Sequence, residues 1–414
     1  VDLRRFSGAS GAQASVVIRQ VCGALSIGGF LRGIAGWIAN PRAHVWQQRL
    51  RSAFAQSIDV PEDTIWLFGA GRVALHALVK SLALKPGDEA LLPGYTCVVV
   101  PNVFRHLGIP VRYVDIERGG FNPTPEDVSA AIGERTRAVV LPHNFGFLMR
   151  NVDWLMARHP TVVFIEDAAH AWGSRYSDGR AAGTKAQASF FSFEYSKCLT
   201  TGLGGALVIN EPALRQTFAA GLRESGNGST RVAAKAMLTL AWHLLQTIGP
   251  AAGLRVLNAI SRRPARALGL IAQTPASELR GNVPPYYGAP LHDLCAAVGF
   301  GQVLAAERIW AQRVEQTQTY LELLKGCTRA YVPTPAEGEV LLRFPLVLDD
   351  AGSREATIEA MAALGIELGV WFNDVVHPKG SARYGYAAIV NLPLGIHADL
   401  NDRQRAALRA WAAA

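Results

Sequence analysis

Cysteine is scarce. The five residues Cys22, Cys97, Cys198, Cys295 and Cys327 are scattered over 414 positions, odd in number and free of any C-x-x-C pair. Such spacing excludes a disulfide framework and a zinc site, and it fits reduced thiols in the cytoplasm, the expected location. Charged residues are also few, at 18%, against 50% hydrophobic, which excludes a disordered chain. No run of about 18 uninterrupted apolar residues offers a membrane span, and no secretory signal pattern is read. The net charge of +8 and a pI near 9.4 suggest nucleic acid at first sight. Yet no basic run is interleaved with stacking aromatics, and no zinc-finger or RNP-type motif occurs, so nucleic acid is not an expected partner. A diffuse basic surface instead draws in anionic small molecules such as sugar nucleotides.

What the chain does have is punctuation: 40 glycines and 22 prolines divide it into many short elements. Its length calls for two domains. From Thr64 onward, apolar strand-like runs alternate with helical patterns. Ile65 to Phe68, Ala90 to Leu92, Val111 to Asp115, Ala138 to Leu141 and Val162 to Ile165 read as strands, with helices between them and Thr124 as an N-cap. This alternation predicts an α/β fold with a mostly parallel central sheet covered on both faces. Residues 1–55 read as an N-terminal helical arm, apolar from Val16 to Ile38, and 56–225 as the large domain. Residues 226–285 read as an apolar helical insertion, and 286–414 as a smaller C-terminal α/β domain with a long helix from Leu291 to about Leu324. The insertion carries an apolar segment, Ala233 to Leu245, and a basic amphipathic stretch, Leu254 to Arg266. It reads as a helical pair packed on the body or on a partner subunit, as a membrane-surface contact, or as a pocket for a lipid-linked substrate.

The chemistry lies at strand ends, where ligands bind in such sheets. Val162 to Ile165 delivers Glu166-Asp167-Ala168-Ala169-His170, and Lys197 follows Asp167 by 30 positions (197 − 167), between hydroxyl residues and the turn Gly202-Leu203-Gly204-Gly205. A lone lysine in a polar run is ordinarily a solvated surface residue, and a lone aspartate after a strand ordinarily caps a helix. Together they suit pyridoxal phosphate: the amine bonds the aldehyde, and the carboxylate keeps the pyridine nitrogen protonated. Gly69-Ala70-Gly71-Arg72 opens a helix at Val73 and suits a phosphate, with Arg72 adding a cation and Ser192 a hydroxyl. His143 falls at another strand end. His170 suits either the cofactor ring or a plain structural hydrogen bond. No metal is expected.

These motifs, with Pro93-Gly94-Tyr95-Thr96, Phe191-Ser192-Phe193, Ala296 to Gln302 and Asn391-Leu392-Pro393-Leu394, resemble the DegT/DnrJ/EryC1/StrS family of fold-type I, pyridoxal phosphate-dependent sugar aminotransferases. The resemblance implies that Lys197 is the Schiff-base lysine and proton carrier, that Asp167 pairs with the pyridine nitrogen and that His170 meets the ring oxygen. It implies phosphate contacts from Gly71, Arg72 and Ser192, and a segment through Thr96 beside the ring. Two positions depart from the pattern. Cys97 stands where an aromatic usually stacks on the ring, so that stacking falls to Tyr95 or is lost. The asparagine that relatives contribute across the dimer aligns near Gly288, after Pro284-Pro285-Tyr286-Tyr287. Lysine rather than histidine at 197 points to amine transfer rather than dehydration. The resemblance implies a homodimer that moves an amino group, ping-pong fashion, from glutamate to a nucleotide-linked keto sugar. A cyclitol, aromatic or lipid-linked ketone is the alternative acceptor, and a noncatalytic sensor or scaffold of the same fold is a third reading.

Overall fold

Seven strands make the central sheet of the chain, whose computed structural model describes residues 23–413 except 43, 118, 222–226, 246, 248–277, 279–280, 284–286 and 373–387. They are β1 (Ile65–Phe68), β2 (Glu89–Pro93), β3 (Val111–Val114), β4 (Thr136–Pro142), β5 (Val163–Asp167), β6 (Ala188–Ser192) and β7 (Gly205–Ile209). Their spatial order is β1-β7-β6-β5-β4-β2-β3. Strands β2 to β6 run parallel, while β7 is antiparallel to both β6 and β1. A single reversed strand thus leaves β1 aligned with the parallel five, and the carboxyl ends of all six share one edge. The reversal is the feature that the sequence pattern does not signal. Gly205 to Ile209 is a short apolar run buried throughout, and such a run suits either direction.

The pleat sorts the core. On β4, Ala138 and Val140 face a cluster built with α3 (Gly71–Ser81), α4 (Val99–His106) and Phe218 of α7 (Pro212–Gly221). Val139 and Leu141 face the opposite cluster, with α5 (Pro125–Ala131) and α6 (Val152–Arg158). Alternation with period two therefore buries the sheet on both sides. Thr124 caps α5 as expected, its hydroxyl accepting the Asp127 amide at 3.0 Å.

Of the expected arm, α1 (Ile27–Ala39) and α2 (Val45–Ser57) fall among the described residues. Of the apolar run predicted from Val16, residues 16–22 lie outside the described residues, and within the described part α1 begins at Ile27, where the Ser26 hydroxyl accepts the Gly29 amide at 3.0 Å. Both helices pack on α9 (Asp293–Val303). Asp293 Oδ1 closes that contact by accepting the Trp46 and Gln47 amides at the start of α2, at 3.0 and 2.9 Å. In the expected insertion, α8 (Thr230–Leu245) is described, whereas the basic stretch 254–266 lies outside the described residues.

The long helix predicted from Leu291 is two helices. After α9 the chain bends by 64° into α10 (Ala306–Leu323). Gln302, near the end of α9, donates to Thr200 O at 2.7 Å and accepts the Thr200 amide at 3.1 Å, which ties α9 to the loop carrying Lys197. Freed from that tie, α10 carries Tyr320 and Leu323 into a second core. There β8 (Ala330–Tyr331), β9 (Phe344–Leu348) and β10 (Ile389–Leu392) form an antiparallel sheet with α11 (Arg354–Ala363) and α12 (Asp402–Ala413).

Candidate active site

The shared carboxyl edge gathers the chemistry. Helix α3 starts at Gly71 with no side-chain cap from Ala70, so the positive end of its dipole is left for an anion. A β-carbon at Gly71 would lie 2.8 Å from Phe191 O and 3.1 Å from Ser192 Cβ, and one at Gly205 would collide with the Gly71 nitrogen. Bare backbone at both positions lets the helix start and the end of β6 close together. Gly71 and Ser192 are thus neighbours, as the sequence predicted. Thr96, just beyond β2, is buried, and its Oγ1 has no hydrogen-bond partner among the described residues. An orphaned hydroxyl in a core costs about 1–3 kcal/mol, so its natural complement is a ligand.

Lys197 sits in the loop after β6, folded back by hydrogen bonds from its own amide to Glu194 O at 2.9 Å and from the Thr201 amide to Phe193 O at 2.9 Å. Burial, and next the charge of Arg343, lower its pKa from the usual lysine value, which favours the free amine. Asp167 ends β5 and accepts the Ala169 amide at 3.1 Å. Burial raises its pKa against the pull of that amide and of Lys197, so its carboxylate lacks a sufficient cation. His170 is buried, and its Nδ1 accepts the Phe145 amide at 3.2 Å. Burial, then the charges of Lys197 and Arg343, hold its pKa well below the ordinary value. A neutral ring that accepts at Nδ1 carries its proton at Nε2 and can donate there. Cys97 lies within electrostatic reach of Lys197, Arg72 and Asp167, and burial raises its thiol pKa, leaving a small neutral group beside the lysine.

Three side chains have partners that the sequence does not signal. The Tyr95 ring is fully buried with Phe145 and Phe121, and its hydroxyl donates to Trp371 O. Arg72 does not point free toward an anion, since its guanidinium pairs with the buried carboxylate of Glu278. His143, directly after β4, has both ring nitrogens engaged, Nδ1 accepting the Met149 amide and Nε2 bonding Glu166.

Glu166 is the anchor under the site. Fully buried, it accepts from His143 Nε2 and Tyr176 Oη at 2.8 Å each, and from the amides of Gly183, Lys185 and Ala186 at 2.8, 2.7 and 2.7 Å. Burial pushes its pKa up, but the His143 bond and charge and the amides outweigh burial and bring it below the ordinary value. A folded pKa below the unfolded one supplies stability that is present above the unfolded value and lost as pH falls through the folded one. Replacing Glu166 with Gln leaves donors facing a donor. The expected loss is about 3–5 kcal/mol in urea unfolding at neutral pH, with a weaker acid-side slope than wild type.

One site residue escaped the sequence reading. Arg343, directly before β9, is 2% exposed and donates from Nη2 to Ser196 O at 3.2 Å. Its guanidinium lies 4.4 Å from the Trp371 ring centroid. Phe372 in turn stacks on His170 at 5.8 Å. The available signal was a lone cation inside the apolar run Val340 to Leu348.

Comparison with known proteins follows the same lines. The model of the DegT/DnrJ/EryC1/StrS aminotransferase family matches residues 48–388. GDP-perosamine synthase of Escherichia coli O157:H7 is 30% identical over 181 residues, 43% of this chain and 48% of that protein. The 3-amino-5-hydroxybenzoate synthase of Amycolatopsis mediterranei (strain S699) is 32% identical over 157 residues, 37% of this chain and 40% of that protein. The matched segment thus spans about half, or less, of these curated relatives. In three dimensions, the aminotransferase TlmJ from Streptoalloteichus hindustanus superposes with a TM-score of 0.71 at 21% identity, over 96% of this chain and 99% of that one. The chain therefore has the α/β fold of these aminotransferases, as the strand pattern predicted.

Proposed function

The chain belongs to the DegT/DnrJ/EryC1/StrS aminotransferase family, and from that premise we propose that it moves an amino group from an amino acid, glutamate foremost, to a keto group of a nucleotide-linked keto sugar, using pyridoxal phosphate. The observation that supports the reading is that Asp167, at the end of β5, and the buried His170 both lie within electrostatic reach of Lys197. When bound, pyridoxal phosphate holds the travelling amino group on its aldehyde carbon and takes into its protonated ring the electrons left when a carbon-bound proton departs. The residues present fit it. The α3 amino end with Gly71 and Ser192 suits the phosphate, and Thr96 offers an unused hydroxyl. Asp167 would hold the ring nitrogen's proton, and that cation would meet the charge its carboxylate leaves uncompensated. His170 would offer its Nε2 proton to a ring oxygen. Lys197, its pKa lowered, would hold the aldehyde and move protons at its Nζ.

The test is a two-stage assay on purified protein supplied with pyridoxal phosphate. L-Glutamate alone should change the visible spectrum and release 2-oxoglutarate once per site, and a keto-sugar nucleotide added next should restore the spectrum and gain an amine. No spectral change with any amino acid would refute amine transfer. The similarity to a 3-amino-5-hydroxybenzoate synthase supports a second reading, with a cyclic non-nucleotide ketone as acceptor. Donor turnover with silence across a panel of keto-sugar nucleotides would favour it.

A further inference from the structure

We propose that Phe372 is a positioning residue for His170, holding the imidazole so that its Nε2 proton faces an acceptor in the recess, an inference that rests on the pyridoxal phosphate reading above. His170 is buried, and two aromatic rings lie nearly parallel to it: Phe145 at 5.9 Å between centroids and 25°, and Phe372 at 5.8 Å and 12°. Those separations belong to offset-stacked pairs. The Phe145 amide donates to Nδ1 at 3.2 Å and so decides which nitrogen accepts. It does not by itself fix the tilt, because the outer torsion of a histidine is broad and one bond at Nδ1 narrows it only in part. A second ring lying along the imidazole supplies the missing restraint.

Phe372 comes to His170 from the second core. It follows α11, in a segment tied to β10 by two backbone hydrogen bonds, Gly369 N to Asn391 O at 2.9 Å and Asn391 N to Gly369 O at 2.8 Å. One residue before Phe372, the Trp371 carbonyl accepts from the Tyr95 hydroxyl, and the Trp371 ring lies against the Arg343 guanidinium. The Phe372 ring also meets the Tyr95 ring, edge-on at 5.3 Å. Ties on both sides therefore place this half-buried ring, so it can be changed without dismantling the segment. Orientation matters because a neutral imidazole has one donor and one acceptor. A half-turn about Cβ–Cγ would put a ring carbon where each nitrogen had been, and the acceptor would lose its donor. Lys197 and Arg343, the charged groups that act on His170, favour the neutral ring for which this holds.

The experiment separates a held donor from general packing. Phe372→Ala and Phe372→Leu remove the ring, whereas Phe372→Tyr keeps it. Absorbance titration of the full chain gives the affinity for pyridoxal phosphate and for deoxypyridoxal phosphate, which lacks the ring hydroxyl. Both ring-less variants should bind pyridoxal phosphate about tenfold more weakly, the scale of one neutral hydrogen bond. Their affinity for the deoxy compound should not change, and Phe372→Tyr should match wild type with both. In a His170→Leu background, Phe372→Leu should cost nothing further, since the two side chains act as one unit. A readout without cofactor comes from nitrogen NMR of histidine-labelled protein. Wild type should show His170 as the single Nε2–H tautomer, and Phe372→Ala should show a mixture. Equal weakening toward both compounds, an additive loss in the His170→Leu background, or an unchanged tautomer in Phe372→Ala overturns the proposal. A tautomer change in a protein that binds neither compound leaves the hold on His170 standing and removes the pyridoxal phosphate reading instead.

Discussion

Lys197→Ala should lower turnover by more than about 10⁴-fold, since one side chain would be lost as both covalent anchor and proton carrier. Two independent readouts follow. Wild type treated with borohydride in the presence of pyridoxal phosphate should yield a peptide containing Lys197 that carries the cofactor's mass, whereas the variant should yield none. Added methylamine should restore a small part of the variant's activity, because a free amine can replace the proton carrier but not its placement. Full activity in the variant, or cofactor mass on another lysine, would remove Lys197 from the mechanism. The lowered pKa of Lys197 also fixes the direction of a pH effect. The amine is active when unprotonated, so any step limited by it speeds up as pH rises through that lowered value.

Much of this site was legible before folding. Asp167 and Lys197 stand out because a strand end and a glycine-bounded loop restrict where such residues can point. The neighbouring pair Gly71 and Ser192 was legible for a similar reason, the first glycine turn and the last position of an aromatic strand. Other residues depend on partners far along the chain. Arg72 reads as a phosphate cation until Glu278, distant in sequence, reaches it. Tyr95 and Thr96 are adjacent in a bend just after β2, where no strand or helix period assigns a side chain its direction. Only packing shows that the tyrosine goes to the core and the threonine is left with an unspent hydroxyl. Arg343 is the extreme case. An isolated arginine in an apolar run gives no direction, and its meaning comes from β9 starting beside the carbonyl of Ser196. Strand direction was hidden in the same way: β7 is reversed because of where the chain returns, not because of its residues.

Asp167→Asn should separate function from stability more sharply than any other change at the site. The amide has the carboxylate's shape but no charge to hold a proton on the ring nitrogen. Turnover should therefore fall about 10²–10³-fold, the usual loss when one preplaced electrostatic group is removed. Without cofactor the sign reverses. Burial raises the folded pKa of Asp167 above its unfolded value. A carboxyl shifted that way favours the folded state at low pH and loses the benefit as pH climbs from the unfolded value through the folded one. At neutral pH the ionised group is thus a standing cost, which the neutral amide removes. Cofactor-free Asp167→Asn should accordingly resist urea better than cofactor-free wild type at pH 7, with the gap closing on acidification. Pyridoxal phosphate should then invert the order, since wild type gains an ion pair on binding that the variant cannot form. Urea midpoints at pH 4 and 7, with and without cofactor, decide the matter. An equal gain from cofactor in both proteins would mean that Asp167 does not pair with the ring. Identical cofactor-free midpoints at pH 7 would mean that its charge is already compensated within the fold.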